Sequence, residues 1–153
     1  MNGFVSHSYQ TFTDALRAVN VSAEPAYRAV AFQSLSTSEA SVHLTRLSIR
    51  DAGARTAELS ECIAALPEFQ ILCAKGFGVG LVEVGDPTHG YENAVAICGA
   101  DARFKSACLD GVAQAAHDWA PPARQKEVCE AIRVSDMKAG DNCDAITKLP
   151  GAK

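Results

Sequence analysis

The chain has 153 residues, of which 48% are hydrophobic and 21% are charged, and its formal net charge is −4. This length is typical of one domain, and the composition excludes disordered, collagen-like and coiled-coil proteins. The acidic balance leaves no basic surface for nucleic acid, so nucleic acid is not expected as a partner. No transmembrane segment is expected, because the longest charge-free apolar stretch falls far short of the roughly 20 residues that a membrane-spanning helix needs.

The six cysteines divide the chain into two parts. A domain of this length buries roughly 70% of the surface that its unfolded chain exposes, so it folds without crosslinks or metals. The cysteines are therefore an addition, and none of them precedes Cys62. We predict an N-terminal cysteine-free helical segment over residues 1–53 and a disulfide-stapled helical repeat domain over residues 54–153.

Local signals in the first part predict three short helices. The patterns at residues 13–19 and 25–35 are typical of helices, and Pro25 suits a first helical turn. Ser36 and Glu39 have the spacing of a capping box ahead of an apolar run. This spacing predicts that a third helix begins there.

Helical periodicity continues from residue 54 onward, where apolar residues recur at intervals of three and four. Glycine and proline clusters interrupt the pattern. We predict six short helices, near residues 54–66, 68–84, 90–98, 102–119, 122–134 and 141–148. Trp119 is expected to pack into the core. The predicted fold class is all-α, a disulfide-stapled array of short antiparallel helices in hairpin repeats.

An internal repeat occurs at an offset of 35 residues. The pattern Phe-x3-Cys-x2-Gly-x10-Pro occurs twice, at Phe69, Cys73, Gly76, Pro87 and again at Phe104, Cys108, Gly111, Pro122. The second copy is alanine-rich and helical in pattern, so we predict that the first copy is helical too. Since terminal repeats are commonly atypical, we interpret the C-terminal region around Cys143 as a truncated copy.

Three glycines alternate with apolar residues at Gly76, Gly78 and Gly80. Their spacing is not that of a dinucleotide-binding loop, and no lysine-hydroxyl pair of a phosphate-binding loop follows them. Small residues on one helix face instead let a neighbouring backbone approach closely. We predict helix packing at Gly76, Gly80 and Gly111.

Two disulfide pairings fit the spacing of the cysteines, and spacing alone does not choose between them. Residues equidistant from the turn of an antiparallel helix hairpin lie at the same height, within disulfide reach. Local pairing staples three hairpins, through Cys62–Cys73, Cys98–Cys108 and Cys129–Cys143. The second pairing clamps one longer hairpin about residues 85–87, through Cys62–Cys108 and Cys73–Cys98, and leaves Cys129 with Cys143.

Cys62-x10-Cys73 and Cys98-x9-Cys108 resemble the motifs of the twin Cys-x9-Cys, or coiled-coil-helix-coiled-coil-helix, proteins of the mitochondrial intermembrane space. The resemblance covers residues 62–108. It implies an α-hairpin clamped by two disulfides, import by oxidative folding, and a role as an assembly factor or structural subunit. We favour the local pairing, because Pro67 would interrupt a continuous helix between Cys62 and Cys73.

Two other groups of residues are candidate sites. Glu83, Asp86 and His89 surround a turn and offer ligands for a divalent cation, although Asp-Pro and His-Gly are also ordinary turn sequences. A second group could line an apolar cavity between helices: Phe69, Phe77, Val79, Leu81 and Phe104. Zinc bound through cysteine is not expected, because the paired cysteine spacing of zinc sites is missing.

We expect a non-enzymatic structural or accessory module that binds a protein partner, possesses no cofactor and works in an oxidising compartment. The mitochondrial intermembrane space follows from the resemblance, and a secreted or periplasmic location would require a signal already removed. Two alternatives stay open. One is a secreted or periplasmic helical carrier of a small apolar ligand, and the other is a metal-dependent enzyme that uses Glu83, Asp86 and His89.

Overall fold

The computed structural model describes residues 11–46, 57–83 and 90–150. Every regular element in these ranges is helical, and three disulfides link them, which confirms the predicted all-α fold with disulfide bonds. The α-helices are α1 Phe12–Ser22, α2 Arg28–Arg46, α3 Gln70–Glu83, α4 Gly90–Gly99, α5 Lys105–Trp119, α6 Pro122–Ser135 and α7 Met137–Thr147. Short 3-10 helices are Pro25–Tyr27, Glu61–Ala64 and Pro67–Phe69, and residues 57–60 form a helical turn before Glu61–Ala64.

Side-chain caps and prolines set several helix boundaries. The Thr11 hydroxyl accepts the Asp14 amide at the start of α1, and the Asp136 carboxylate accepts the Ala139 amide at the start of α7. Each satisfies a backbone donor that the helix itself leaves unpaired. Pro25 and Pro67 stand at the first position of 3-10 helices, where a missing N–H costs nothing.

The predicted helix start at Ser36 is wrong. Helix α2 runs without interruption from Arg28 to Arg46, and Ser36 and Thr37 donate their hydroxyls back to carbonyls of the preceding turn. Helix α7 also departs from prediction, since it begins at Met137 and not near residue 141. The break between α6 and α7 is the single residue Asp136.

The helices form two rows. One row contains α2, α3, α5 and α7, each packed against the next. The other row contains α1, residues 57–64, α4 and α6. Each member of the second row pairs with a first-row helix to make an antiparallel hairpin. The four hairpins turn at residues 23–24, 65–66, 100–104 and 136, which we call the first to fourth corners.

Disulfides join the two helical segments of the second, third and fourth hairpins. The bonds are Cys62–Cys73, Cys98–Cys108 and Cys129–Cys143, with Cα–Cα distances of 5.7, 5.4 and 5.4 Å. This is the local pairing, and the crossed pairing implied by the mitochondrial resemblance is not present. All six cysteines are buried, so the bonds form part of the core.

Glycines allow the first-row helices to touch backbone to backbone. A Cβ on Gly76 would lie 2.4 Å from the Gln33 carbonyl oxygen of α2, and one on Gly80 would lie 2.3 Å from the Thr37 carbonyl oxygen. The Thr37 hydroxyl also donates to the Gly76 carbonyl oxygen. The contact positions increase in residue number along both helices, so α2 and α3 run parallel, as neighbouring repeats do.

The repeat has a structural counterpart one hairpin later. Gly111 of α5 packs against the backbone of α3, just as Gly76 of α3 packs against α2. Cys73 and Cys108 each bond the second-row segment of their own hairpin. Pro122 begins α6, whereas Pro87 lies outside the described residues.

One hydrophobic core runs through all four hairpins. It contains α1 and α2 from the predicted N-terminal segment as well as the disulfide-bonded hairpins. Its largest fully buried apolar side chains, apart from the cysteines, are Phe32, Phe77, Leu16, Leu59, Leu109, Ile132, Val112 and Val128. The boundary predicted near residue 53 stays a prediction, and close packing between α2 and α3 spans it.

Candidate interaction surface

The four corners lie at one end of the helix array, and hydrogen bonds connect each corner region to the next. Asn20 of the first hairpin bonds the second corner. Ser60 of the second hairpin bonds Asp101 at the third corner. Lys105, which follows the third corner, bonds the carbonyl of Ser135 beside the fourth. The corners therefore form one continuous, crosslinked end of the molecule.

The first of these connections is a two-point contact made by a side-chain amide. The Asn20 Nδ2 donates to the Ala64 carbonyl oxygen at 3.0 Å, and its Oδ1 accepts the Leu66 amide at 3.1 Å. Ala64 is the last residue of the 3-10 helix Glu61–Ala64, and Leu66 lies in the turn just before Pro67. The first and second hairpins make another such contact farther from the corners. There the Glu61 carboxylate accepts hydrogen bonds from the backbone amide and the hydroxyl of Thr13, each at 3.0 Å.

The second connection centres on a buried carboxylate. Asp101 is 8% exposed and accepts the Ser60 hydroxyl at 2.7 Å. The Arg103 guanidinium forms two hydrogen bonds with the same carboxylate, from Nε at 3.2 Å and from Nη2 at 2.9 Å. Hydrogen bonding from Arg103 is the main cause that lowers the pKa of Asp101 to about 2, while burial opposes it. The Arg103 guanidinium also lies 5.3 Å from the Phe104 ring centroid.

The third connection is a charge-assisted hydrogen bond. The Lys105 ammonium donates to the Ser135 carbonyl oxygen at 2.6 Å, at the last residue of α6. A cation near the carboxyl end of a helix also interacts favourably with the helix dipole. The fourth hairpin is tightened further by Arg133, which pairs with Glu130 and with Asp144 of α7.

Exposed apolar side chains lie beside the corners. Nine large apolar residues among the described side chains are exposed, and seven of them lie within six residues of a corner. At the third corner the corresponding exposed group is Arg103. We define the corner surface as Val21, Tyr27, Val30, Ile63, Ile71, Arg103, Val134 and Met137.

The corner surface combines apolar side chains with Tyr27 and Arg103. Apolar side chains scattered singly over a surface need no explanation, whereas contiguous apolar patches are typical of contact surfaces. Arg and Tyr are enriched among the residues that dominate binding energy at protein interfaces. The backbone beneath these side chains is held by the hydrogen bonds between corners and, in the second to fourth hairpins, by disulfides. Its side chains offer apolar contact area and hydrogen-bond donors.

The predicted cation ligands cannot be placed. Asp86, His89 and the side chain of Glu83 lie outside the described residues, so a metal there stays a hypothesis. Across the side chains that are described, no group of three His, Cys, Asp or Glu residues could hold a metal ion.

Four of the five residues proposed to line an apolar cavity lie in or against the core. Phe77, Leu81 and Phe104 are buried in it, and Phe69 stacks on Phe32 with ring centroids 5.2 Å apart. Val79 is partly exposed on α3, where its amide lies next to Gly111. Phe69, Phe77, Leu81 and Phe104 therefore belong to the packed core, and the carrier function stays a hypothesis.

Gly76, Gly80 and Gly111, the glycines predicted for helix packing, each lie where an added Cβ would meet the backbone of a neighbouring helix. The expectation for Trp119 is wrong, since its side chain is 72% exposed at the last residue of α5. The proline that follows almost at once ends the helix before another turn can cover the indole. Trp119 lies at the end of the array opposite the corners.

A polar cluster on the first row of helices was not predicted from the sequence. Asp110 of α5 lies among Lys75 of α3 and Asp136, Lys138 and Asn142 of the α7 region. Burial is the main cause that raises the pKa of Asp110, partly offset by a hydrogen bond with Asn142. One feature of the sequence indicates this cluster: Asp110 stands 35 residues after Lys75, at the equivalent position of the repeat.

Comparison with protein-family models, with curated proteins and with solved structures found no match. None of the helices in the described ranges combines the length and the apolar character that crossing a membrane requires.

Proposed function

We propose that this protein is a non-enzymatic structural or accessory module that binds a protein partner through its corner surface, in an oxidising compartment. The observation that carries the proposal is the row of exposed apolar side chains on corners that are crosslinked to one another. The mitochondrial intermembrane space and a periplasmic or secreted location are the specific compartments proposed.

Rigidity supports a binding role. Association costs free energy for ordering loops and side chains, about 0.5–1.5 kcal/mol for each immobilised flexible side chain. The corners are held in place before a partner arrives, because disulfides tie the second to fourth hairpins and side-chain hydrogen bonds connect each corner region to the next. Arg103 is held by Asp101 and Phe104 before binding as well.

The disulfides support the compartment. Three buried bonds include every cysteine of the chain. Disulfides form and persist in oxidising compartments and are rare in the reducing cytosol. Because a chain of this length folds without crosslinks, the contribution of the disulfides is a surface of fixed shape.

Site-specific photocrosslinking in the native cell tests this function. A photoreactive phenylalanine analogue replaces Met137 or Ile71 on the corner surface, and Lys126, exposed on α6, serves as the control position. We expect one discrete adduct of the same mass from both corner positions and none from the control. Equal adducts from all three positions, or none from either corner position in folded protein, would contradict the proposal.

A charge substitution gives an independent test. Val134→Asp is expected to abolish the adduct from Ile71 without changing the melting temperature, because Val134 is 89% exposed. Leu149→Asp places the same charge at the opposite end, where Leu149 is 57% exposed, and should leave the adduct intact. Loss of the adduct in both variants would assign the binding to a different surface.

A further inference from the structure

Asn20, Val21 and Ser22 form the acceptor pattern for Asn-linked glycosylation, with no proline at the middle position. Such acceptors belong in exposed loops, but this one lies in the last turns of α1, and the Asn20 amide is already bonded to the second corner. We infer that Asn20 functions only unmodified, and that the chain folds in a compartment that oxidises thiols without attaching Asn-linked glycans.

The geometry of the amide carries the first step. Asn20 Oδ1 and Nδ2 both face residues 64–66, with one accepting from Leu66 and the other donating to Ala64. The hydrogen of Nδ2 that reaches the Ala64 carbonyl is therefore the one on the same side of the amide as Oδ1. That direction is filled by protein backbone.

The chemistry of glycosylation uses the same position. The transferase forms a bond between Nδ2 and the anomeric carbon of a sugar, Nδ2 gives up one proton, and the lipid pyrophosphate that carried the sugar leaves. The product is a secondary amide, for which the trans form is favoured by about 2.5–4 kcal/mol. In the trans form the sugar carbon stands on the Oδ1 side, where the Ala64 carbonyl lies in the folded protein. The glycan and the second corner therefore compete for one place.

The order of synthesis makes the competition unavoidable in a glycosylating compartment. The Asn20 amide is protected only when residues 64–66 are in position, and these are synthesised after it. A transferase that acts on the emerging chain meets Asn20 before its partner exists. Of the proposed locations, the mitochondrial intermembrane space and the bacterial periplasm have the required chemistry, and the eukaryotic secretory pathway does not.

Translation of the full chain, fused to a cleavable secretory signal, into microsomes that contain the transferase tests the inference. Dithiothreitol keeps the chain reduced while the transferase acts, and is then replaced by oxidised glutathione so that the disulfides form. Ser22→Ala removes the acceptor pattern but keeps Asn20. Ser22→Ala combined with Ser34→Asn creates a new acceptor, with Leu35 and Ser36, at an exposed position of α2. Limited trypsin cleavage after Arg17 and Arg28 reports on docking of the first hairpin.

We expect glycan attached at Asn20 of the natural sequence, and cleavage of that fraction roughly tenfold faster than cleavage of the Ser22→Ala chain, because the hairpin opens more often. The Ser34→Asn control should carry glycan and stay resistant. Glycan at Asn20 with full trypsin resistance would overturn the inference. An unmodified Asn20 in the reduced chain, while the Ser34→Asn control is modified, would overturn it as well.

Discussion

The carbonyl oxygen of Lys75 lies 2.0 Å from the place that a Cβ would occupy on Gly111. The backbones of α3 and α5 therefore touch at this point, and any side chain larger than hydrogen would force the two helices apart. Because every first-row helix packs against the next, a displacement here would pass to the disulfide-bonded hairpins on either side.

Gly111→Ala is expected to destabilise the protein. Alanine raises helix propensity by about 1 kcal/mol over glycine, but overpacking a tight contact costs typically about 1–3 kcal/mol, and here the obstacle is backbone that cannot rotate away. Denaturant unfolding measures the net loss. Gly99→Ala is the control, since its Cβ would meet only the Ser135 hydroxyl at 3.6 Å. Equal stability of the two variants would disprove the backbone contact.

Asp101→Asn is expected to lose about 2 kcal/mol of folding stability at neutral pH, the amount that corresponds to lowering the pKa from 3.8 to about 2. Because the pKa of Asp101 is lower in the folded protein, the ionised carboxylate stabilises the fold at pH values above its pKa in the unfolded chain. This stabilisation is lost as the pH falls toward about 2. Unfolding curves of both proteins from neutral to acidic pH should therefore converge. A constant difference at every pH would contradict the ion pair as its source.

Asp110→Asn should have the opposite sign. Burial raises the pKa of Asp110, so its charged form destabilises the fold above the unfolded pKa, and the fold gains stability as pH falls through the raised value. The neutral amide is expected to stabilise the protein at neutral pH, with the gain disappearing in acid. Unfolding curves of the unsubstituted and Asp110→Asn proteins, recorded side by side from neutral to acidic pH, measure this gain. Destabilisation at neutral pH would mean that contacts with Lys75 and Lys138 outweigh burial.

Removing Cys129–Cys143 by alanine substitution of both residues is expected to cost about 3 kcal/mol for a loop of this length. The damage should stay local, because each hairpin of a repeat array contacts only its neighbours. Amide hydrogen exchange should show lost protection in α6 and α7 and unchanged protection in α1 and α2. Equal loss in all hairpins would show that the array unfolds as one unit.

Local patterns predicted the helices well where a chain breaker and a periodic apolar face agree, as at Pro121 and Pro122, where α6 begins. They failed where tertiary packing overrides a local signal. Ser36 resembles a helix cap, but α2 continues through it because Phe32, Ser36 and Ala40 are all buried. The backbone there is held by packing against α3.

Gly140 shows the same limitation. Its sequence context is typical of a turn, yet it lies within α7, where a Cβ would stand 2.5 Å from the Arg133 Cβ. The glycine is needed for close approach of α6, which no local pattern reveals. The corner surface could not be predicted either, because solvent exposure of Val134 and Met137 depends on what the neighbouring hairpins fail to cover.

A disulfide map of the native protein tests the central claim, an array of locally stapled hairpins, most directly. Trypsin leaves Cys62 and Cys73 in one peptide, residues 56–75, and separates the other four cysteines into residues 76–103, 106–124, 127–133 and 139–148. Local pairing predicts peptide 56–75 alone, lighter by two hydrogen atoms than its reduced form. It also predicts two linked pairs, 76–103 with 106–124 and 127–133 with 139–148. A cluster that joins 56–75 to both 76–103 and 106–124, or free thiols throughout, would contradict the account.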